Sequence, residues 1–304
     1  MKIQLPLRGV IPPVITPLIN GKKIDHRGLE NLVEHLLNGG VHGLIFLGTT
    51  GEGPSLSFSQ RKEFLKSATV LVNGRVPVLV GIANNVASDA IEMAAFAESI
   101  GVDAALVAPP SYFPIDEAEV MAYYAHLSDL MPLPFLLYNI PSHTKTNLSL
   151  KVIKCAKDLG AIGMKDSSGN LDSYLEMLNA FKGDPEFSVL MGTELFLPET
   201  ILSGGHGVVA GGANMFPGLF VELYNACLEE DMERIRFLHK KVVRIHHTIY
   251  QVGNNVSRFI KGTKSAVAAM GICEDSMAYP LQRFAKSDRE KISLYVGELM
   301  EMSS

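Results

Sequence analysis

The chain has 304 residues, of which 47% are hydrophobic and 19% charged, and its formal net charge at pH 7 is −5. This length and apolar content suit one large α/β domain and exclude a disordered chain. The chain is acidic overall and has no run of basic residues. It therefore lacks the positively charged surface that a nucleic-acid or anionic-membrane partner requires.

The three cysteines, Cys155, Cys227 and Cys273, lie far apart in the sequence. Such isolated cysteines indicate a reducing compartment and argue against a disulfide framework or a zinc site. The first residues contain no apolar signal stretch, and no segment reaches the roughly eighteen apolar residues of a membrane span. A soluble, cytoplasmic protein is therefore expected.

Short segments rich in Val, Ile, Leu and Phe recur along the first two-thirds of the chain. They are continuously apolar, which is typical of parallel strands buried on both faces. The candidate strands are residues 10–16, 43–46, 76–81, 104–107, 135–138, 161–164, 188–191 and 207–210.

Segments with a helical period separate these strands. The first places Leu29, Leu32 and Leu36 on one face behind Asp25, a candidate N-cap. The second opens with Ser57 and Gln60, spaced as in a capping box. Gly39 and Gly40 end the first helix. The other candidate helices between strands are about residues 57–72, 87–100, 116–129, 148–157 and 171–181, and four more follow the last strand at 217–229, 232–250, 256–270 and 289–300.

From residue 43 to residue 188, successive candidate strands start 26 to 33 residues apart. This is the length of one βα unit, and eight such units close a barrel. A doubly wound open sheet alternates in the same way, but the dinucleotide fingerprint is missing after residues 10–16. We predict a (β/α)₈ TIM barrel over residues 1–216. The last barrel helix and a C-terminal helical extension, residues 217–304, continue the same structural unit.

The reactive groups of such a barrel lie at the carboxyl ends of its strands. Residues 48–53 read Gly-Thr-Thr-Gly-Glu-Gly after the strand at 43–46. Their backbone N–H groups form either a cradle for a small anion or an ordinary βα turn. Tyr138 ends the strand at 135–138, either as a catalytic phenol or as a core aromatic whose hydroxyl reaches water.

Lys165 follows the candidate strand at 161–164. Desolvation at a barrel mouth favours the neutral amine that attacks a carbonyl, although most lysines simply extend to water. An amine, a phenol and an anion cradle at three strand ends are together the parts of Schiff-base chemistry on a 2-oxo acid.

Three motifs, in this order and spacing, resemble the dihydrodipicolinate synthase / N-acetylneuraminate lyase family. They are Gly-Thr-Thr-Gly-Glu at residues 48–52, Tyr-Asn-Ile-Pro at 138–141 and Lys-Asp-Ser-Ser-Gly at 165–169. The opening segment 9–17 and the late segment 207–214 are also similar to that family's signatures. The resemblance spans residues 8 to 300 and rests on several separated motifs.

The resemblance implies a class I aldolase or lyase that needs no metal or other cofactor and works as a homotetramer, a dimer of dimers. Lys165 matches the lysine that forms a Schiff base with pyruvate, and Tyr138 matches the tyrosine that moves protons. The other matching positions are Gly48, Thr49 and Thr50, which hold the pyruvate carboxylate, Val209, whose carbonyl faces pyruvate, and Tyr112, which a neighbouring subunit lends to the proton relay.

Departures from the family pattern bear on the second substrate. Dihydrodipicolinate synthases usually carry an arginine where this chain has His143, which cannot bind the carboxylate of aspartate semialdehyde in a bidentate way. Neuraminate lyases have an acidic pair where Glu194 precedes Leu195 here. The sequence thus favours an aldolase for 2-keto-3-deoxy sugar acids or 4-hydroxy-2-oxoglutarate, with those two enzymes as alternatives. The residues expected to contact the aldehyde part are His143, Asp166, Ser167, Thr193 and Glu194.

Two readings of other classes remain open. Glycines at 204–207 and 211–214 bracket the last candidate strand, where many barrels bind the phosphate of a flavin, so an oxidoreductase is one rival. A sensor that binds pyruvate without turnover is the other.

Overall fold

The computed structural model describes residues 3–302. Its strands are β1 (Gly9–Val10), β2 (Leu18–Ile19), β3 (Lys23–Ile24), β4 (Leu44–Phe46), β5 (Val78–Ile82), β6 (Ala104–Val107), β7 (Phe135–Asn139), β8 (Gly163–Asp166), β9 (Ser188–Met191) and β10 (Gly207–Val208). Its α-helices are α1 (His26–Asn38), α2 (Phe58–Val72), α3 (Ala87–Ser99), α4 (Glu117–Leu130), α5 (Pro141–Thr144), α6 (Leu150–Asp158), α7 (Leu171–Ala180), α8 (Leu197–Leu202), α9 (Pro217–Leu228), α10 (Met232–His247), α11 (Arg258–Ala269) and α12 (Lys286–Glu301).

Eight strands within the described residues pair in parallel to form one sheet. Their order is β1-β10-β9-β8-β7-β6-β5-β4, and an isolated parallel bridge between Pro13 and Ile45 joins its two edges. Helices follow the strands in βα units; α9 follows the last strand, and α10 to α12 come after it. The predicted (β/α)₈ barrel with a C-terminal helical extension is confirmed. None of the helices within residues 3–302 has the length and apolarity of a membrane span.

Prolines account for two of the differences between predicted and observed strands. The predicted strand 10–16 forms regular pairing only at Gly9–Val10, because Pro12 and Pro13 have no N–H to donate. The predicted strand 76–81 likewise begins at Val78, after Pro77. The strands at 104–107 and 188–191 are confirmed at the predicted bounds. The caps are confirmed too, since Asp25 accepts from Gly28 and Ser57 forms a capping box with Gln60.

The antiparallel hairpin of β2 and β3 was not predicted. Asn20 and Gly21 both have positive φ in its turn, the conformation for which the Asn-Gly pair is favoured. The Asn-Gly pair was present in the sequence. Each strand has only two residues, however, which is too short to show the alternation of apolar and polar residues that predicts a strand.

Two hydrophobic clusters lie on opposite faces of the sheet. The larger one fills the space between the strands and the helices, whereas the smaller one lies inside the barrel and includes Leu79, Leu136, Tyr138 and Leu190. Successive side chains of a strand point to opposite faces. Leu136 and Tyr138 of β7 therefore face the interior, while Phe135 and Leu137 pack against the helices.

A buried carboxyl group joins two loops next to β9 and β10. Glu194 accepts hydrogen bonds from the Gly212 N–H (2.7 Å) and from the Tyr250 hydroxyl (2.9 Å). Burial raises the pKa of Glu194 to about 7, although these hydrogen bonds oppose the rise. This pair of contacts ties the start of the helical extension to the barrel.

Two glycines with open space around them test the role of backbone conformation. Gly297 lies in exposed α12 at ordinary φ, and Gly101 has φ +85°; a Cβ at either would meet no atom within 4 Å. We expect Gly297→Ala to raise the free energy of unfolding by about 0.5–1 kcal/mol. Gly101→Ala should lower it by roughly 1–2 kcal/mol. Urea unfolding of both variants measures this, and equal effects of the two would contradict it.

The pKa of Glu194 predicts how stability depends on pH. Because this pKa is raised from 4.5 to about 7, the native state holds a proton that the unfolded state releases between these values. Stability therefore falls as the pH rises through this window. Glu194→Gln mimics the protonated carboxyl and should lose less in Tm than the wild type between pH 5 and pH 8. The exposed Glu30→Gln is the control; an unchanged pH slope in Glu194→Gln would refute the assignment.

Candidate active site

The lysine and the phenol lie side by side inside the barrel. Lys165 is in the middle of β8, paired with Tyr138 of β7 on one side and Leu190 of β9 on the other. The prediction that Lys165 follows the strand was wrong by two residues, because β8 continues to Asp166. The Lys165 side chain is only 5% exposed, and its Nζ lies 4.1 Å from the centroid of the Tyr138 ring.

The phenol of Tyr138 is suited to proton transfer. Burial by itself would raise the pKa of Tyr138, but the charge of Lys165 and hydrogen bonds from Thr49, Lys165 and Ser167 outweigh burial, and the pKa is lowered from its usual value. The Thr49 hydroxyl is 3.4 Å from the Tyr138 hydroxyl. A phenol with a lowered pKa exchanges a proton with substrate more readily near neutral pH.

The Gly-Thr-Thr-Gly-Glu-Gly segment forms a tight loop after β4. The Glu52 N–H donates to the Thr49 carbonyl (3.0 Å), and the Gly53 N–H donates to the Gly48 carbonyl (3.2 Å). Within residues 3–302, the N–H groups of Thr49 and Thr50 have no acceptor. Two adjacent free N–H groups beside a hydroxyl are the donors that a carboxylate needs.

A cavity of about 520 Å³ opens at this end of the barrel. Thr49, Tyr138 and His143 are in its wall, together with apolar residues such as Ala108 and Ile140. Arg61 lines the same cavity and donates to the Asn84 side chain (3.1 Å). The pocket is large enough for pyruvate and a second small substrate.

His143 is the only predicted aldehyde-side residue in the described wall of this cavity. Burial and then the charge of Lys165 lower the pKa of His143, so its ring is neutral at pH 7. Its Nδ1 lies 3.0 Å from the Ser142 hydroxyl. A neutral imidazole forms hydrogen bonds but supplies no charge to balance a carboxylate.

Asp166 and Glu194 lie in networks outside the cavity. The Asp166 carboxylate accepts from the Asn139 side chain (2.7 Å) and from the Ser168 hydroxyl (2.8 Å). Burial raises the pKa of Asp166, against these hydrogen bonds. Alternate residues of β8 face opposite ways, so an inward Lys165 requires an outward Asp166. Both carboxylates were expected to contact the aldehyde, and each is instead held by protein donors.

Three further predicted residues are Ser167, Val209 and Tyr112. Ser167 contributes to the lowered pKa of Tyr138, and Val209 is buried inside the barrel with its N–H donating to the Met191 carbonyl (2.7 Å). Tyr112 is 72% exposed, packs edge-on against Phe113 and makes no contact with Tyr138 in this chain. Its assignment to a neighbouring subunit's site stays a prediction.

The alternative function, an oxidoreductase that binds a flavin phosphate, would use the glycine-rich segment 211–214. Polar groups of this segment already form hydrogen bonds within the protein. The Gly212 N–H donates to Glu194, and the Asn214 side chain bonds the Pro13 and Gly211 carbonyls. A phosphate would need that N–H and would meet the carboxyl group of Glu194. This arrangement counts against phosphate binding there.

Two features of the site were not found in the sequence. Asn139 ties the end of β7 to β8, because its amide donates to Asp166 and accepts from the Leu148 N–H (3.0 Å). A polar residue directly after the predicted apolar strand was the available signal. The ion pair between Glu52 and Lys264 joins groups 212 residues apart and left no local signal.

Comparisons with known proteins agree on one family. The dihydrodipicolinate synthetase family model matches residues 6–298. The chain is 34% identical over 295 residues to the 4-hydroxy-tetrahydrodipicolinate synthase of Methanocaldococcus jannaschii, covering 96% of this chain and 98% of the relative.

Solved structures agree as well. Dihydrodipicolinate synthase from Bacteroides thetaiotaomicron superposes with a TM-score of 0.94 at 44% identity, over 97% of this chain and 99% of the other. A prophage protein of E. coli K12 belonging to the dihydrodipicolinic acid synthase family, solved with pyruvate, gives 0.91 at 29% identity, over 97% and 99% of the two chains. The chain therefore belongs to the dihydrodipicolinate synthetase family, whose members are pyruvate-dependent class I lyases and aldolases.

Proposed function

We propose that this protein joins pyruvate to an aldehyde, or cleaves the corresponding 2-oxo acid, through a Schiff base on Lys165. The observation that carries the proposal is the pairing of Lys165 with Tyr138 inside the barrel, with Nζ 4.1 Å from the ring and the Thr49 hydroxyl 3.4 Å from the phenol. An amine and an acid/base group in contact are the minimum that imine formation needs.

The proposed sequence of steps assigns a role to each group. Tyr138, whose pKa is lowered by the charge of Lys165, takes a proton from the Lys165 ammonium group. The amine attacks the pyruvate ketone, and Tyr138 gives the proton to the oxygen to form a carbinolamine. Loss of water leaves a protonated imine, and the ionised Tyr138 takes a proton from C3 to give an enamine. The enamine adds to the aldehyde carbon, and Tyr138 gives its proton to the aldehyde oxygen. Hydrolysis of the new imine returns the Lys165 amine and gives the released proton to Tyr138. The N–H groups of Thr49 and Thr50 hold the pyruvate carboxylate throughout.

For the second substrate we favour a hydroxylated aldehyde, so that the product is a 2-keto-3-deoxy sugar acid or 4-hydroxy-2-oxoglutarate. The support is the neutral ring of His143, which suits hydroxyl groups better than a carboxylate. The second candidate is 4-hydroxy-tetrahydrodipicolinate synthase, which uses aspartate semialdehyde. It is favoured by the names of the relatives, among them the one from Methanocaldococcus jannaschii.

We further propose that the active form is a homotetramer in the cytoplasm. Support comes from Tyr112 and Phe113, an exposed aromatic pair beside the cavity loop that Asn85 anchors through the Tyr112 N–H (3.0 Å). In a dimer, a second copy would bring its Tyr112 towards Tyr138 and complete the proton relay.

The Schiff base has a direct chemical test. Borohydride treatment in the presence of pyruvate should leave a reduced pyruvyl adduct on the Lys165 peptide, because hydride reduces the imine to a stable amine. Lys165→Met should give no adduct, whereas Lys151→Met, at an exposed lysine, should give the wild-type amount. Peptide mass mapping measures both. An adduct elsewhere, or none in the wild type, would overturn the proposed function.

The choice of aldehyde is tested at His143. His143→Arg should raise kcat/KM for aspartate semialdehyde by roughly tenfold or more, since a guanidinium adds a charge-assisted hydrogen bond to its carboxylate. The same change should lower activity with 2-keto-3-deoxy acids. His126→Arg, at an exposed helix position, is the matched control. Efficient wild-type turnover of aspartate semialdehyde, without a gain in His143→Arg, would favour the second candidate.

A further inference from the structure

A fully buried ion pair connects the C-terminal extension to the loop after β4. Lys264 of α11 donates from Nζ to Glu52 Oε1 at 2.6 Å, and neither side chain has any exposed surface. The other carboxylate oxygen, Glu52 Oε2, accepts from the Ala278 N–H at 2.7 Å. Both oxygens of Glu52 are therefore held by the last quarter of the chain.

The backbone of Glu52 is part of the loop that carries Thr49 and Thr50. Glu52 has φ +57°, a left-handed conformation that a non-glycine residue adopts at a cost, and its N–H donates to the Thr49 carbonyl. From the barrel side, the Thr16 hydroxyl donates to the Gly51 carbonyl at 2.6 Å. The loop is thus fastened on one side by the barrel and on the other by Lys264.

Stability alone does not explain a buried ion pair. Removing two charges from water is costly, and a well-packed apolar pair of similar volume is often as stable or more stable. What an apolar pair lacks is direction: hydrogen bonds between charged groups fix the distance and angle of the atoms that they join. Glu52 also lies in the wall of the cavity that holds Thr49 and Tyr138.

We propose that Glu52 and Lys264 are positioning residues, through which the C-terminal extension holds the Thr49 and Thr50 N–H groups at the spacing that binds the carboxylate of a 2-oxo acid. This inference rests on the proposed function for the identity of the acid. Neither side chain has exposed surface with which to contact a substrate. Their effect on the reaction passes through the loop backbone.

The test replaces both charges together. Glu52→Gln/Lys264→Met leaves a carbonyl oxygen for the Ala278 N–H and no unpaired buried charge, so this double variant should fold. Lys264→Met alone leaves the buried carboxylate of Glu52 without its cation. This single variant should therefore have a lower Tm than the double variant. The control is Lys241→Met, a buried lysine of α10 outside the site.

Two readouts separate positioning from a merely structural role. In the double variant, the pyruvate KM should rise roughly tenfold, the equivalent of one charge-assisted hydrogen bond, while kcat changes less. Hydrogen exchange of the peptide over residues 47–53 should become faster than in the wild type and in Lys241→Met. An unchanged KM, or unchanged exchange in this loop, would overturn the inference. If the wild type forms no pyruvate adduct, the proposed function fails. Faster hydrogen exchange of residues 47–53 in the double variant would still show that Glu52 and Lys264 position the loop.

Discussion

The pairing register between β7 and β8 is the constraint on which the site depends. In a strand, each residue faces the side opposite to its neighbour, and a slip of one residue reverses every side chain. The observed register places Tyr138 beside Lys165 inside the barrel and Asn139 beside Asp166 outside it. The Asn139–Asp166 hydrogen bond of 2.7 Å lies on the outer face and links the same two strands. An outer polar pair thus supports the alignment of the inner reactive pair.

Holding a lysine inside an apolar barrel conflicts with the tendency of such side chains to reach water. Lys165 is accommodated because the aromatic face of Tyr138, a residue in the cavity wall, lies 4.1 Å from its Nζ. The loop proposed to bind the carboxylate has the opposite requirement, since its N–H groups must remain free of protein acceptors. It is kept in shape by its own turns, by Thr16 and by the buried pair of Glu52 and Lys264.

How well each feature could be predicted depends on how far apart in the sequence the residues that form it lie. Local signals were sufficient for β6 and β9 and for the caps at Asp25 and Ser57, and they placed Thr49 and Tyr138 near strand ends. They were not sufficient for the end of β8, which lies two residues beyond the predicted one. Prolines shortened β1 and β5 because pairing needs an N–H that those residues lack. The outward direction of Asp166 was accessible from strand alternation, once Lys165 was placed inside. The partners of Glu194 and Lys264 were not accessible, because they come from residues 18 and 212 positions away.

The two halves of the proposed reaction are built from different parts of the fold. The groups assigned to pyruvate are on barrel strands or on the loop after β4, where register and buried contacts fix them. His143 lies in the four-residue helix α5 at the rim, and its side chain contacts Ser142 rather than the core. A substitution there changes the charge of the cavity without altering strand pairing. The pyruvate half of the proposed site is thus fixed by the fold, whereas the proposed preference for an aldehyde depends on the side chain at position 143.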